Sequence, residues 1–138
     1  MHSFRSRARA VALQVLYQED VNPRETAREI EEFIRGRLKD ADLEAFCLSL
    51  ILGVKRNLGE LDAMLSATAS NWSLGRMATT DRNLLRLGAY EIVYSDTPDR
   101  VAVDEAIELA KRFGSGQSAS FINGILDKFI EENRSEAE

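Results

Sequence analysis

The sequence predicts an all-α fold of about seven helices, and three observations predict it. Apolar residues return every three to four positions through seven successive segments of the 138-residue chain, the spacing that lines one face of a helix. No segment alternates apolar and polar residues convincingly, as a half-buried strand would. The connections are short and carry residues that cap or end helices. Amphipathic helices joined in this way bury their stripes against one another, so the expected architecture is a helical bundle.

The first helix is expected from Ser3, a possible N-cap, to about Tyr17, with Phe4, Ala8, Val11 and Val15 as its stripe and Ala12 and Leu16 widening it. Asn22-Pro23-Arg24-Glu25 reads as the start of the second: Asn22 caps, Pro23 suits the first helical position, and Glu25 completes a capping box. Its stripe is Ala27, Ile30, Ile34 and Leu38, and Glu29, Glu31, Glu32, Arg35 and Arg37 form a solvated face with local ion pairs. A third helix begins at Asp40 or Asp42 and turns Leu43, Phe46, Cys47, Leu50, Ile51 and Val54 inward. Asn57, with Glu60 three residues on, caps a fourth, carrying Leu58, Leu61, Met64 and Leu65. The loop NWSLGRM (71–77) places Trp72 where an indole most often anchors a loop to the core, although it also suits stacking on a base. RNLLRLGAYEIVY (82–94) is apolar most of the way round and should be central, with Gly88 marking a close helix–helix approach. The sixth helix, VAVDEAIELAKRFG, stops at Gly114 in a left-handed C-terminal turn. The last carries Phe121, Ile122, Ile125, Leu126, Phe129 and Ile130 and ends in an acidic tail.

Composition bounds the function. With 44% hydrophobic and 30% charged residues, two prolines and eight glycines, the chain is expected to be one ordinary globular domain without a low-complexity linker. One cysteine, Cys47, rules out an internal disulfide, and neither a secretory h-region nor a membrane-length apolar run is present, so a soluble cytoplasmic protein is expected. The net charge of −5 argues against non-specific coating of nucleic acid. The charge is nevertheless uneven. Ser3–Tyr17 holds Arg5, Arg7 and Arg9 and no acid, whereas the remaining 15 Lys and Arg share the chain with all 23 carboxylates, a net −8. A local basic end attracts phosphates. At about 100° per residue Arg5 and Arg9 share one flank and Arg7 points the other way, so the three cannot face one flat surface. Solubilising a terminal helix and gripping a phosphate chain both remain open on these residues.

Catalytic chemistry is hard to find. The single histidine, His2, sits at the terminus, which removes the usual triads and any multi-histidine metal site; no cofactor or metal is expected. Cys47 lies within an apolar stripe with no base beside it in sequence, so it reads as a small buried hydrophobe. GSGQSAS (114–120) lacks the lysine of a P-loop and follows no strand. Asp104, Glu105 and Glu108 read as a solvated face. The start of the last helix is the second candidate binding element: its first N–H groups have no intrahelical partner, Ser118 and Ser120 add hydroxyls, and Phe121 can stack on a base. Against that reading, Ser118 simply caps the helix and Phe121 packs inside.

Four stretches taken together, RSRARAVALQVLYQ, GVKRNLGELDAML, RNLLRLGAYEIVYSDTPDRVAVDEAIELAKRFG and FINGILDKF, resemble the NusB transcription antitermination family, in order and over nearly the whole length. The resemblance implies a non-enzymatic helical protein whose two halves correspond here to about 1–56 and 57–138. It implies binding of single-stranded boxA-type RNA together with the small-subunit ribosomal protein NusE, and read-through of terminators by RNA polymerase, notably in ribosomal RNA operons. The RNA-contacting positions it implies are Arg5, Arg7 and Arg9, with Gln117, Ser118, Ser120 and Phe121 at the last helix start; Asp81 is the implied partner contact. Family members occur as monomers and as dimers, so a homodimer is a further expectation. The chain departs from better-known members in having Ser6 between its arginines and Ser120 where a basic residue can stand. Rival readings are a structural helical scaffold without specific RNA binding, and the helical domain of a ribosomal RNA methyltransferase, for which the chain lacks a Gly-rich cofactor-binding unit.

Overall fold

The computed structural model describes residues 4–23 and 26–134. Within them the chain forms α1 (Phe4–Val21), α2 (Ala27–Leu38), α3 (Ala41–Arg56), α4 (Leu58–Thr68), a 3-10 turn (Leu74–Arg76), α5 (Thr79–Tyr94), α6 (Asp99–Phe113) and α7 (Ser118–Arg134), and no strand occurs among the described residues. The all-α expectation holds. Ser3, His2, Arg24, Glu25 and the tail after Arg134 lie outside the described residues.

Helix α5 is the centre. It touches α1, α3, α4, α6 and α7, which is why its sequence is apolar nearly all round. Two glycines let neighbours approach it. A Cβ on Gly88 would stand 2.8 Å from Leu126 of α7, and Gly53 of α3 lies flat against the Tyr90 ring, where any Cβ would overlap it. The core formed in this way runs continuously from Ala8 and Val11 of α1 to Phe129 of α7.

Several boundaries differ from the sequence expectation, each for a local reason. Asn22 closes α1, its N–H donating to the Gln18 carbonyl, and α2 starts only at Ala27, where Thr26 Oγ1 accepts from Glu29 N–H at 3.2 Å. Asp40 does cap α3, accepting from Leu43 N–H at 3.0 Å, and the turn before it puts Lys39 at φ 53°. Asn57 makes no side-chain cap on α4; its amide reaches back to the Gly53 carbonyl at 2.7 Å and terminates α3. Gly114 is extended rather than left-handed (φ −94°), and glycine is needed there because a Cβ would meet Ser118 and the Ala110 carbonyl. Phe4 leaves the α1 stripe and is 72% exposed.

The charged residues inside this bundle were not foreseen. Arg86 of α5 pairs with Asp62 of α4 through two bonds of 2.8 and 2.9 Å and reaches Asp20 of α1 at 3.2 Å; Arg82 and Asn83 also donate to Asp20. Burial would raise the Asp20 pKa, but the bonds from Arg82 and Asn83 and the charges of Arg82 and Arg86 outweigh it and hold the carboxyl below its ordinary value. One acid thus fastens the end of α1 to α5.

Candidate functional site

The three N-terminal arginines diverge because each meets a different neighbour of α1. Arg5 stays exposed, with its guanidinium 4.3 Å from the centre of the Phe46 ring on α3. Arg7 is exposed on the far side of the helix, beside Arg37 and Arg112. Arg9 is buried. It is 4% exposed and forms a two-pronged pair with Glu91 of α5, itself 2% exposed, through bonds of 2.7 and 2.8 Å. A third bond, of 3.2 Å, runs to Glu105 of α6.

Arg9 therefore has no free surface for a phosphate, and its expected RNA contact is corrected to a structural pairing. The same cluster corrects Glu105, which accepts from Ser6 Oγ at 2.6 and 2.8 Å and so fixes α1 to α6 instead of facing solvent. Thr97 completes it with a 2.9 Å bond to Glu91. Ser6 is thus part of the anchor of α1.

At the other candidate element, Gln117 and Ser120 are exposed, Phe121 is half-buried, and Ser118 is buried. Ser118 does not cap α7. It is the first residue of that helix, and its Oγ accepts from Ser115 N–H at 2.9 Å, closing the Gly114–Gln117 turn; the carbonyl of Gln117 begins the helical ladder by accepting from Phe121 N–H. A hydroxyl used in this way is a brace, and the surface of the turn is left to Gln117 and Ser120.

Phe121 opens onto a groove of about 860 Å³ between the α4–α5 connection and the start of α7. Trp72 stands on its wall, 59% exposed, its ring meeting Phe121 edge-on with centroids 5.1 Å apart. The indole is therefore not buried as a loop anchor, and the base-stacking alternative has the exposed ring it requires. Gln117, Arg76 and Asp81 also line the groove. Asp81 sits in the first turn of α5 with Oδ1 buried and without a hydrogen-bond partner among the described residues. An acceptor left in that state is stabilised by any donor brought to it.

The structure thus brings Gln117, Phe121 and Asp81 together on one groove and sets Arg5 and Arg7 apart from it. Sequence reasoning offered Trp72 as only one of two readings and set Arg37 aside as solvated. Arg112 went unnoticed, because three arginines on three separate helices leave no linear signal.

Burial pushes the Cys47 thiol up to about 12, so it stays protonated and unreactive at neutral pH. Among the described residues no group of three or more His, Cys, Asp or Glu is placed to hold a metal ion, and no helix is long and apolar enough to cross a membrane.

Comparison with known proteins places these features in a family. A sequence model of the NusB family matches residues 6–131. The transcription antitermination protein NusB of Elusimicrobium minutum is 43% identical over 131 residues, covering 92% of this chain and 93% of that one. The solved structure of T. maritima NusB is similar with a TM-score of 0.83 at 36% identity, covering 96% of this chain and 94% of that one. A chain in a structure of the antitermination factors NusB and NusE in complex with double-stranded RNA is similar with a TM-score of 0.84 at 25% identity, covering 96% of this chain and 99% of that one. A match this long, in sequence and in fold, means that the chain belongs to the NusB family.

Proposed function

We propose that this chain is a cytoplasmic, non-enzymatic transcription antitermination factor. In this reading it binds boxA-type single-stranded RNA together with the ribosomal protein NusE and promotes read-through by RNA polymerase, notably in ribosomal RNA operons. The observation that carries the reading is the Trp72–Phe121 pair beside Gln117, an exposed indole meeting a half-buried ring, which gives unstacked bases an aromatic surface on an acidic protein. Full-length kinship with proteins named transcription antitermination protein NusB supports it. Arg5 and Arg7 supply phosphate contacts, Gln117 and Ser120 hydrogen bonds, and Phe121 with Trp72 the stacking. Arg9 and Ser118 act only by holding α1 and the Gly114–Gln117 turn in place. Asp81 lines the same groove and is the implied contact for NusE, so RNA and partner meet there.

The test is a gel shift on boxA-type RNA, single-stranded and as a duplex, with and without NusE. A specific single-strand shift strengthened by NusE is expected, weakened by Trp72→Ala to the extent of a lost base stack, about 1–3 kcal/mol. Absence of a specific shift in every condition would leave the scaffold reading in its place. A homodimer that covers Arg5 and Arg7 would be inhibitory, and light scattering with and without RNA reads it.

A further inference from the structure

We infer that Arg7 of α1, Arg37 of α2 and Arg112 of α6 form one binding site for the RNA phosphate backbone, separate from the aromatic groove; the inference rests on the RNA reading above. The three side chains line a shallow groove of about 170 Å³ whose other walls are Ala10, Val11, Gln14 and Leu38. No carboxylate lines it. By contrast Arg9, Arg28, Arg35, Arg82, Arg86, Arg100 and Arg134 all lie within 4.0 Å of an acid. Arg7, Arg37 and Arg112 have no ion pair among the described residues.

Two of the three are also held in place. The Arg37 guanidinium lies 4.7 Å from the Phe33 ring centre and that of Arg112 4.7 Å from the Phe113 ring centre. A ring face supports the guanidinium plane while leaving its N–H edge free to donate, and a fork of donors suits a phosphate. Asp40 and Asp42 line the depression on the other side of Arg7, so the basic tract ends there and runs the other way, toward α6.

Direction along the fold fixes what the groove serves. Arg112 precedes Gln117 by five residues, so their Cα atoms are at most about 18 Å apart. The two grooves are therefore close enough for one single strand of a few nucleotides to reach both Phe121 and Arg112. The ligand is a phosphodiester chain, read without regard to sequence.

The test measures binding of labelled boxA-type RNA to the full chain in the presence of NusE across a salt series. The proteins compared are the parent, Arg37→Ala/Arg112→Ala, Arg37→Lys/Arg112→Lys, and Arg56→Ala as an unpaired arginine outside the groove. Each single-strand phosphate contact adds about 0.7 to the slope of log affinity against log salt. The double alanine variant should lower the slope by about 1.4 and the affinity about 25-fold at 0.1 M salt, with an unchanged melting temperature. The lysine variant should keep most of the slope, and Arg56→Ala should match the parent. Parent binding with an unchanged slope in the double alanine variant overturns the groove and leaves the RNA reading standing. An equal loss in Arg56→Ala overturns it as a site, since net charge alone would then be acting. No binding by the parent overturns both readings.

Discussion

Replacing Arg9 with alanine should unfold this protein more readily without removing an RNA contact, the reverse of what its place in the arginine run suggests. Arg9 and Glu91 are 4% and 2% exposed and joined by two short bonds, so deleting the guanidinium strands a buried carboxylate whose remaining donor among the described residues is the Thr97 hydroxyl. Breaking a buried pair from one side costs about 3–5 kcal/mol. With an unfolding entropy of about 2.1 cal/mol/K per residue, a chain of this size loses about 3.4 °C for each kcal/mol, so the melting temperature should fall by about 10–17 °C. Arg9→Met/Glu91→Leu, which removes both charges and keeps apolar volume, should recover most of that loss. Arg7→Ala is the counterpart: its side chain is exposed and unpaired among the described residues, so melting should move by no more than about 1 °C while RNA affinity falls. The assays are thermal unfolding by circular dichroism and the gel shift below the lower melting temperature. An Arg9→Ala protein that melts within about 2 °C of the parent would refute the assignment, and a loss of RNA affinity at the same time would return Arg9 to the binding surface.

Two further outcomes follow from the helix junctions. The Asp20 carboxyl is held below its ordinary value of 3.8, so the stability it contributes is complete above that value and is lost as pH falls through the lower, folded-state pKa. Asp20→Asn should therefore be less stable than the parent at pH 6, and the gap between the two should narrow below about pH 4, read as urea midpoints across pH; a constant gap would refute the ionic role of Asp20. Lys39 adopts φ 53° between α2 and α3, a conformation that costs a residue with a Cβ about 1–2 kcal/mol, so Lys39→Gly should raise the melting temperature by about 2–3 °C after the added entropy of the unfolded glycine; a fall would show that the lysine side chain makes up for the strain.

Burial was legible in the sequence wherever one helix decides it alone. The stripes of α3 and α7, the inward Cys47 and the all-round apolar α5 follow from periodicity, because a helix face is a property of its own residues. What depends on two elements was not legible. Arg9 and Glu91 are 82 positions apart, and nothing in either neighbourhood shows that they meet. The geometric puzzle was nevertheless correct: at helical spacing three arginines cannot share a face, and the fold resolves it by burying one. Asn22-Pro23 read as the start of the second helix, but the end of α1 uses Asn22 and α2 is capped instead by Thr26, a choice that depends on where the preceding helix stops. Trp72 failed differently. Its exposure depends on how the α4–α5 connection meets Phe121, which loop composition does not encode.

The proposed set of phosphate contacts bounds what the chain can do alone. Arg5, Arg7 and Arg9 would give a single-strand salt slope of about −2; with Arg9 withdrawn and Arg37 and Arg112 added, four guanidiniums give about −2.8. At 0.1 M salt that electrostatic share is about 3.8 kcal/mol, and two stacked bases on Trp72 and Phe121 add about 2–6 kcal/mol. The sum reaches at most about 10 kcal/mol before the ordering of a flexible strand and of Gln117 and Ser120 is subtracted, and 8.2 kcal/mol corresponds to a dissociation constant of about 1 μM. Micromolar binding on its own surface is too weak to hold a transcript through many rounds of elongation. On the reading proposed above, the shortfall is met at the groove that Asp81 lines. A protein partner whose basic surface continues this groove adds phosphate contacts that the chain's own arginines do not supply. Linking the two surfaces raises the affinity of both for one strand, which is why the proposed reading is one of two-component RNA binding.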